Sequence, residues 1–193
     1  MKILLTNDDG YDSKNIEFFY NELSKQHDVW LIAPKNNCSG KSAAISFLNE
    51  IKVTKISERK FYVNGTPADC SYLGLLGIVD FEFDMVISGI NHGANLGSDV
   101  IYSGTVGAAI GGRKLRYPPI AISCVNYSSK DYGFVVEKAI EIINKLSDIS
   151  NFFKGHVINI NFPDINRAEF KGIKITKLSE RDMPKKPIKI SYS

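Results

Sequence analysis

The chain is 193 residues long, 44% hydrophobic and 23% charged, with a formal net charge of +3. That length suits one α/β domain spanning residues 1–193, and so small a charge argues against a nucleic-acid duplex as partner. Cys38, Cys70 and Cys124 lie far apart without a CxxC spacing, "MKILLT" lacks the apolar stretch of a signal peptide, and nothing approaches the roughly 18 apolar residues of a membrane span. A soluble cytoplasmic protein that does not engage membranes is expected.

In chain order, "KILLT" (2–6) reads as a buried strand. "NIEFFYNELSKQ" (15–26) follows as a helix with Ile16, Phe19, Tyr20 and Leu23 on one face. "DVWLIAP" (28–34) is a second buried strand, closed by Pro34. "IKVTKI" (51–56) and "KFYVN" (60–64) alternate as the arms of a hairpin would. "PADCSYLGLLGI" (67–78) predicts a helix with Pro67 in its first turn. "DMVISG" (84–89) is a strand, and "TVGAAIGGRKL" (105–115) a helix whose small residues suit close packing. "IAISCV" (120–125) is a strand, "GFVVEKAIEIINKLS" (133–147) an amphipathic helix and "HVININF" (156–162) a last strand. This alternation predicts a parallel sheet with helices on both faces and right-handed crossovers.

Ligands of such sheets bind beyond the carboxyl ends of the strands, so the segments that follow strands are the ones to inspect. After the first strand come Asp8 and Asp9, side by side before a glycine. Adjacent carboxylates repel, and a hard divalent cation offsets that repulsion. Asp-Gly is also a common turn dipeptide. After the second strand, "NNCSGKS" offers small residues, the backbone at Gly40 and the hydroxyls of Ser39 and Ser42 to a metal or an anion. It is not a full P-loop, because Lys35 stands where that motif needs its first glycine. The aspartyl-nucleophile phosphatase motif DxDG[TV] fails as well, with Asn7 at the nucleophile position and Tyr11 after the glycine.

The third segment is the richest. Residues 88–112 hold seven of the fifteen glycines, with Asn91, His92, Asn95, Ser103 and Thr105 interleaved. Glycines let a backbone approach a ligand closely. "SGTVGAA" places Ser103, Gly104 and Thr105 at a helix start, which suits phosphate, although Ser or Thr there also serves as an ordinary N-cap. A lone loop histidine such as His92 is more often a hydrogen-bonded bystander than a general base.

At this point the residues resemble a known family. "ILLTNDDG", "APKNNCSG", "NGTPADC", "SGINHGANLGSDVIYSGTVGAA" and "ININFP" are similar, in order, to the sequence blocks of the SurE family of survival proteins, over residues 1 to 163. The resemblance implies a Rossmann-like parallel sheet with a C-terminal extension, and metal-dependent phosphatase activity on nucleoside 5′- and 3′-monophosphates. It places the divalent-metal ligands on Asp8, Asp9, Ser39 and Asn95, and phosphate-side groups on Gly40, Asn91, Ser103, Gly104 and Thr105. Two departures stand out. Where the family loop reads near "DRNRSGAS", Lys35, Asn36 and Cys38 replace its charged residues, which predicts an altered substrate preference. The chain also stops at Ser193, short of the arm through which the family oligomerises. A homodimer rather than a locked tetramer is therefore expected, with residues 183–193 as a disordered or arm-like tail.

Oxygen ligands, phosphate-friendly loops and no Ser-His-Asp arrangement together predict metal-assisted phosphomonoester hydrolysis, with Asp8 and Asp9 as the catalytic carboxylates and one Mg²⁺ or Mn²⁺ per subunit. An exopolyphosphatase, or a nucleotide-sensing module without turnover, would use the same loops.

Overall fold

The computed structural model describes residues 1–46, 48–126, 131–149, 154–180, 182 and 186–188. Of the expected tail, all but 186–188 lies outside the described residues.

The first strand, β1 (Lys2–Thr6), is buried from Ile3 onward. Helix α1 (Lys14–Leu23) starts one residue earlier than the pattern predicts, because Ser13 caps it by accepting from the Ile16 N–H. It ends before Gln26. The Lys25 and Gln26 N–H groups turn back onto Glu22 and Leu23, tightening the last turn. Strand β2 (Asp28–Pro34) follows as expected, and β3 (Val53–Ser57) pairs antiparallel with β4 (Lys60–Val63) as the predicted hairpin.

The helix predicted over 67–78 divides in two. Helix α2 (Pro67–Leu73) gives way to a wider π-type turn over Gly74–Ile78. Gly77 there takes a φ of 141°, which no side chain tolerates comfortably and no α-helix contains. Strand β5 (Met85–His92) runs further than its apolar core. Asn91 and His92, read from sequence as loop residues, are its last two positions, paired with Ser123 and Cys124 after a register shift past Ser88. A 3₁₀ segment, Gly97–Tyr102, leads into α3 (Gly104–Ile110), which stops before the predicted Leu115 as Gly111 and Gly112 enter turns. Strand β6 (Ile120–Cys124), helix α4 (Tyr132–Ile149) and strand β7 (Ile158–Phe162) complete the order.

The seven strands lie in the order β3-β4-β2-β1-β5-β6-β7, all parallel except the edge strand β3. The expected α/β architecture with helices on both faces is present. Alternation splits the core in two. Ile3, Leu5, Leu31 and Ile87 face α1 and α4 and pack with Phe19, Ile140 and Ile143. Leu4, Ile32 and Val86 face the other way, against Cys70 of α2 and Phe61 and Phe83. Chain direction reverses its progress across the sheet between β1 and β5, and the carboxyl ends of these two strands therefore frame the crevice where such sheets take ligands. No helix among the described residues is long and apolar enough to cross a membrane.

One buried carboxylate ties the loop after β2 to this frame. Asp69, fully buried in α2, accepts from the Thr66 N–H and from both the N–H and the hydroxyl of Ser46, each at 2.8 Å. Asp69→Ala strands those donors and should lower stability by about 2 kcal/mol, within the range for unsatisfied buried groups. Urea denaturation measures this, and an unchanged midpoint would mean that the carboxylate holds nothing.

Candidate active site at the carboxyl edge of the sheet

Asp8 and Asp9 follow β1 directly. Asp8 is only 4% exposed, and Asp9 is half-buried. The turn that holds them is built by Asn7, whose Nδ2 donates to the Gly10 carbonyl at 2.8 Å while its Oδ1 accepts from the Gly10 N–H. Gly10 itself sits at φ 114° and lies against Asn36 and Asn37 of the loop after β2. That loop is clamped to the acids by the Cys38 N–H, which donates to the Asp8 carbonyl at 2.7 Å.

The start of α3 closes on Asp8 from the opposite side. The Thr105 hydroxyl donates to Asp8 Oδ1 at 2.8 Å, and Thr105 is wholly buried. Gly104 makes this approach possible: a Cβ there would stand 3.0 Å from Asp8 Cβ and 3.1 Å from Oδ2. Ser103 is the N-cap, its hydroxyl accepting from the Val106 N–H at 3.1 Å. Ser42, with φ 57°, donates through its N–H to the Tyr102 carbonyl and through its hydroxyl to the Ile101 carbonyl. The loop thereby lies on α3 at Gly107, where a Cβ would come within 2.3 Å of the Ser42 carbonyl oxygen.

Asp9 meets a different set. Its Oδ2 accepts from the His92 N–H at 3.4 Å, and the His92 ring is 3.3 Å from the Asn15 amide. Tyr132 of α4 donates to the Asn15 carbonyl at 3.1 Å. Burial pushes both carboxyls above the ordinary carboxylate value; the Thr105 hydroxyl pulls Asp8 back, and the charge of His92 pulls Asp9 back.

Of the residues singled out in the sequence, contacts thus join Asp8, Gly104 and Thr105 directly, and Asp9 with the end of β5. Ser39 and Gly40 are exposed in the loop after β2. Asn91 donates from its side chain to the Gly93 carbonyl at 2.9 Å. Asn95 is half-buried, and its Nδ2 donates to the Ser123 hydroxyl at 2.7 Å. Among the described residues, no hydrogen bond runs from Ser39 or Asn95 to either acid. Sequence reading passed over Asn7, Asn15, Ser123, Asn159 and Asn161. Asn159 and Asn161 carried a signal, since two asparagines alternate with apolar residues in an otherwise buried strand pattern.

The donor chemistry fits a hard divalent cation. Two carboxylates held together against burial, with a serine hydroxyl and a carboxamide on the adjoining loops, form an oxygen-only set. Among the described residues no group of three or more His, Cys, Asp or Glu side chains could hold a metal. A soft or imidazole-rich site is not what this edge presents.

Comparison with known proteins bears on this edge. The family described as "Survival protein SurE" matches residues 3–185. The chain belongs to the SurE family. A relative from Pseudoalteromonas atlantica named 5′-nucleotidase SurE is 40% identical over 189 residues, covering 98% of this chain and 76% of its own length. One of the same name from Petrotoga mobilis is 44% identical over 186 residues, covering 94% and 73%. The crystal structure of the SurE protein from Aquifex aeolicus superimposes with a TM-score of 0.85 at 36% identity, over 94% of this chain and 73% of that one. The Rossmann-like sheet implied by the sequence blocks is therefore the family's fold.

The raised carboxyls have a stability consequence of definite sign. A carboxyl whose folded value exceeds its unfolded value of about 3.9 binds protons more tightly when folded, so metal-free stability falls as pH rises from about 4 through the raised values. Asp8→Asn and Asp9→Asn should each flatten that fall and raise the metal-free melting temperature at pH 7. Thermal unfolding between pH 4 and 8 measures it; a lower melting temperature in both variants would show that the pair is not a source of repulsion.

Proposed function

We propose that this chain is a 5′-nucleotidase: a phosphomonoesterase that hydrolyses nucleoside 5′-monophosphates, and 3′-monophosphates, to nucleoside and phosphate. The observation that carries this reading is the adjacent pair of buried Asp8 and half-buried Asp9, with Asp8 set against the start of α3 at the switch point of the sheet. The names of the 40%-identical relatives support it.

In this reading Asp8, Asp9, Ser39 and Asn95 hold one Mg²⁺ or Mn²⁺ per subunit. Bound there, the ion supplies Lewis acidity toward a phosphoryl oxygen. The chain's own groups do the rest. Asp8 is kept in one orientation by Thr105, and Asp9 by the His92 N–H. Ser103, Gly104 and Thr105 sit on the phosphate side at the start of α3, where fixed dipoles stabilise developing charge. Gly40 and Asn91 complete the phosphate side. Thr105 has a double place in this scheme, because it opens the helix while its hydroxyl and its backbone N–H both serve Asp8. Three free cysteines, Cys38, Cys70 and Cys124, support a reducing compartment, the cytoplasm, for the enzyme.

Phosphate release from a panel of 5′- and 3′-nucleotides and chain polyphosphate, with and without chelator, tests the reading. The expected result is metal-dependent release from nucleoside monophosphates. Release from polyphosphate alone would make the chain an exopolyphosphatase, and nucleotide binding without release would make it a sensor. Within the site, Asn95→Ala should raise the Mn²⁺ concentration for half-activity more than it raises KM, and Ser103→Ala should do the reverse. Thr105→Val, which removes the donor to Asp8, should move with Asn95→Ala. Coincident metal-titration curves for all three variants would defeat this assignment.

A further inference from the structure

The hydrogen bonds around Asn95 are unlike those around any other loop residue of the site. Its N–H donates to Asn161 Oδ1 at 2.9 Å. Its carbonyl accepts from Asn161 Nδ2 at 3.0 Å and from Asn159 Nδ2 at 2.8 Å. Its side-chain Nδ2 donates to the Ser123 hydroxyl at 2.7 Å. One carboxamide, that of Asn161, thus reads both backbone groups of Asn95 at once, as a neighbouring strand would. A second holds the carbonyl again, and a fully buried serine takes the side-chain amide nitrogen.

These three partners come from one place in the sheet. Ser123 and Asn161 are direct neighbours across the β6–β7 pair, and Asn159 lies two residues before Asn161. Their alternate residues, Ile122 and Cys124, belong to the core under α4. Ser123, Asn159 and Asn161 therefore share the opposite face, and the segment after β5 lies against it. Packing alone does not account for polar residues at these positions. Asn159 keeps a buried Oδ1 that has no hydrogen-bond partner among the described residues, a penalty an apolar residue would not carry. What its carboxamide does supply is the bond to Asn95.

The consequence concerns which atom Asn95 presents. An amide can offer either its oxygen or its nitrogen, and only the oxygen is a ligand for a hard cation. With Nδ2 bound to Ser123 and the backbone fixed on both sides, Oδ1 is the one polar atom of Asn95 left for a ligand. We infer that Ser123 and Asn161, seconded by Asn159, are positioning residues that orient the Asn95 carboxamide oxygen toward the divalent cation. This rests on the metal-ligand reading of Asn95 proposed above. Groups that orient a ligand in this way typically change metal affinity by about 10–100-fold when removed.

The test measures Mn²⁺ binding to the metal-free protein by titration calorimetry, without substrate, for the wild type, Asn95→Ala, Ser123→Ala, Ser123→Thr and Asn161→Ala. Ser123→Ala and Asn161→Ala should each weaken Mn²⁺ binding by about tenfold or more. Ser123→Thr, which keeps an acceptor hydroxyl, should stay close to the wild type. At saturating Mn²⁺ the KM for a nucleoside 5′-monophosphate should be unchanged in Ser123→Ala, Ser123→Thr and Asn161→Ala, a split that general loosening of the fold would not produce. Wild-type Mn²⁺ affinity in Ser123→Ala and Asn161→Ala, alongside a weakened Asn95→Ala, would overturn the positioning role and leave Asn95 a ligand. Wild-type affinity in Asn95→Ala as well would overturn the ligand assignment and the positioning role together. Should Asn161→Ala fail to fold, Asn161→Asp decides the matter: it keeps the acceptor for the Asn95 N–H, loses the donor to the carbonyl, and should still weaken Mn²⁺ binding.

Discussion

Two carboxylates on consecutive residues, at the end of a strand with no exposed core position, are the constraint around which this molecule is arranged. Burial opposes their ionisation, and mutual repulsion adds to the penalty on Asp8. A protein that keeps such a pair must supply donors, a cation, or both. The donors are visible: the Thr105 hydroxyl on one acid and the His92 N–H on the other. Both come from the one connection that runs from the end of β5 to the start of α3, so the pair also fastens the beginning of the chain to its middle.

The sheet order explains why those connections converge. With β1 central and β2 and β5 on its two flanks, the segments after all three strands leave from the same edge. The loop after β2 reaches Asp8 through a backbone N–H, and the segment after β5 reaches it through α3. Farther out, β6 and β7 extend the same edge and support Asn95 from below. Asn95 thus takes its support from β6 and β7, whose places in the sheet are fixed by ladder hydrogen bonds.

Much of this was legible in the residues. Every strand of the sheet stands within a few positions of its apolar run, because burial on both faces leaves an unmistakable pattern in β1, β2 and β6. The acid pair pointed to the candidate site, since a packed core has no use for two adjacent carboxylates, whereas the small residues of "SGTVGAA" serve close packing as well. What the pattern could not convey was long-range partnership. Helix 67–78 gives way after Leu73 to a π-type turn that holds Gly77 at φ 141°, and no periodicity records an angle. Asn91 and His92 belong to β5 only because β6 offers them partners. The hydroxyl of Thr105 points to Asp8, ninety-seven residues away, while its place at a helix start suggested only capping or phosphate. Asn159 and Asn161 take their role from Asn95, more than sixty residues away in the sequence.

The seat of the loop after β2 on Gly107 carries an implication for how members of such a family diverge. The loop bears Lys35, Asn36 and Cys38 and reaches the acids through the Cys38 N–H. Yet Ser42 is bound through the carbonyls of Ile101 and Tyr102, and its own carbonyl fills the space that any side chain at 107 would need. A loop transplanted from a relative would arrive without its socket unless residues 101–107 travelled with it. Any exchange of this loop therefore involves two segments some sixty residues apart, one around Ser42 and the other at residues 101–107.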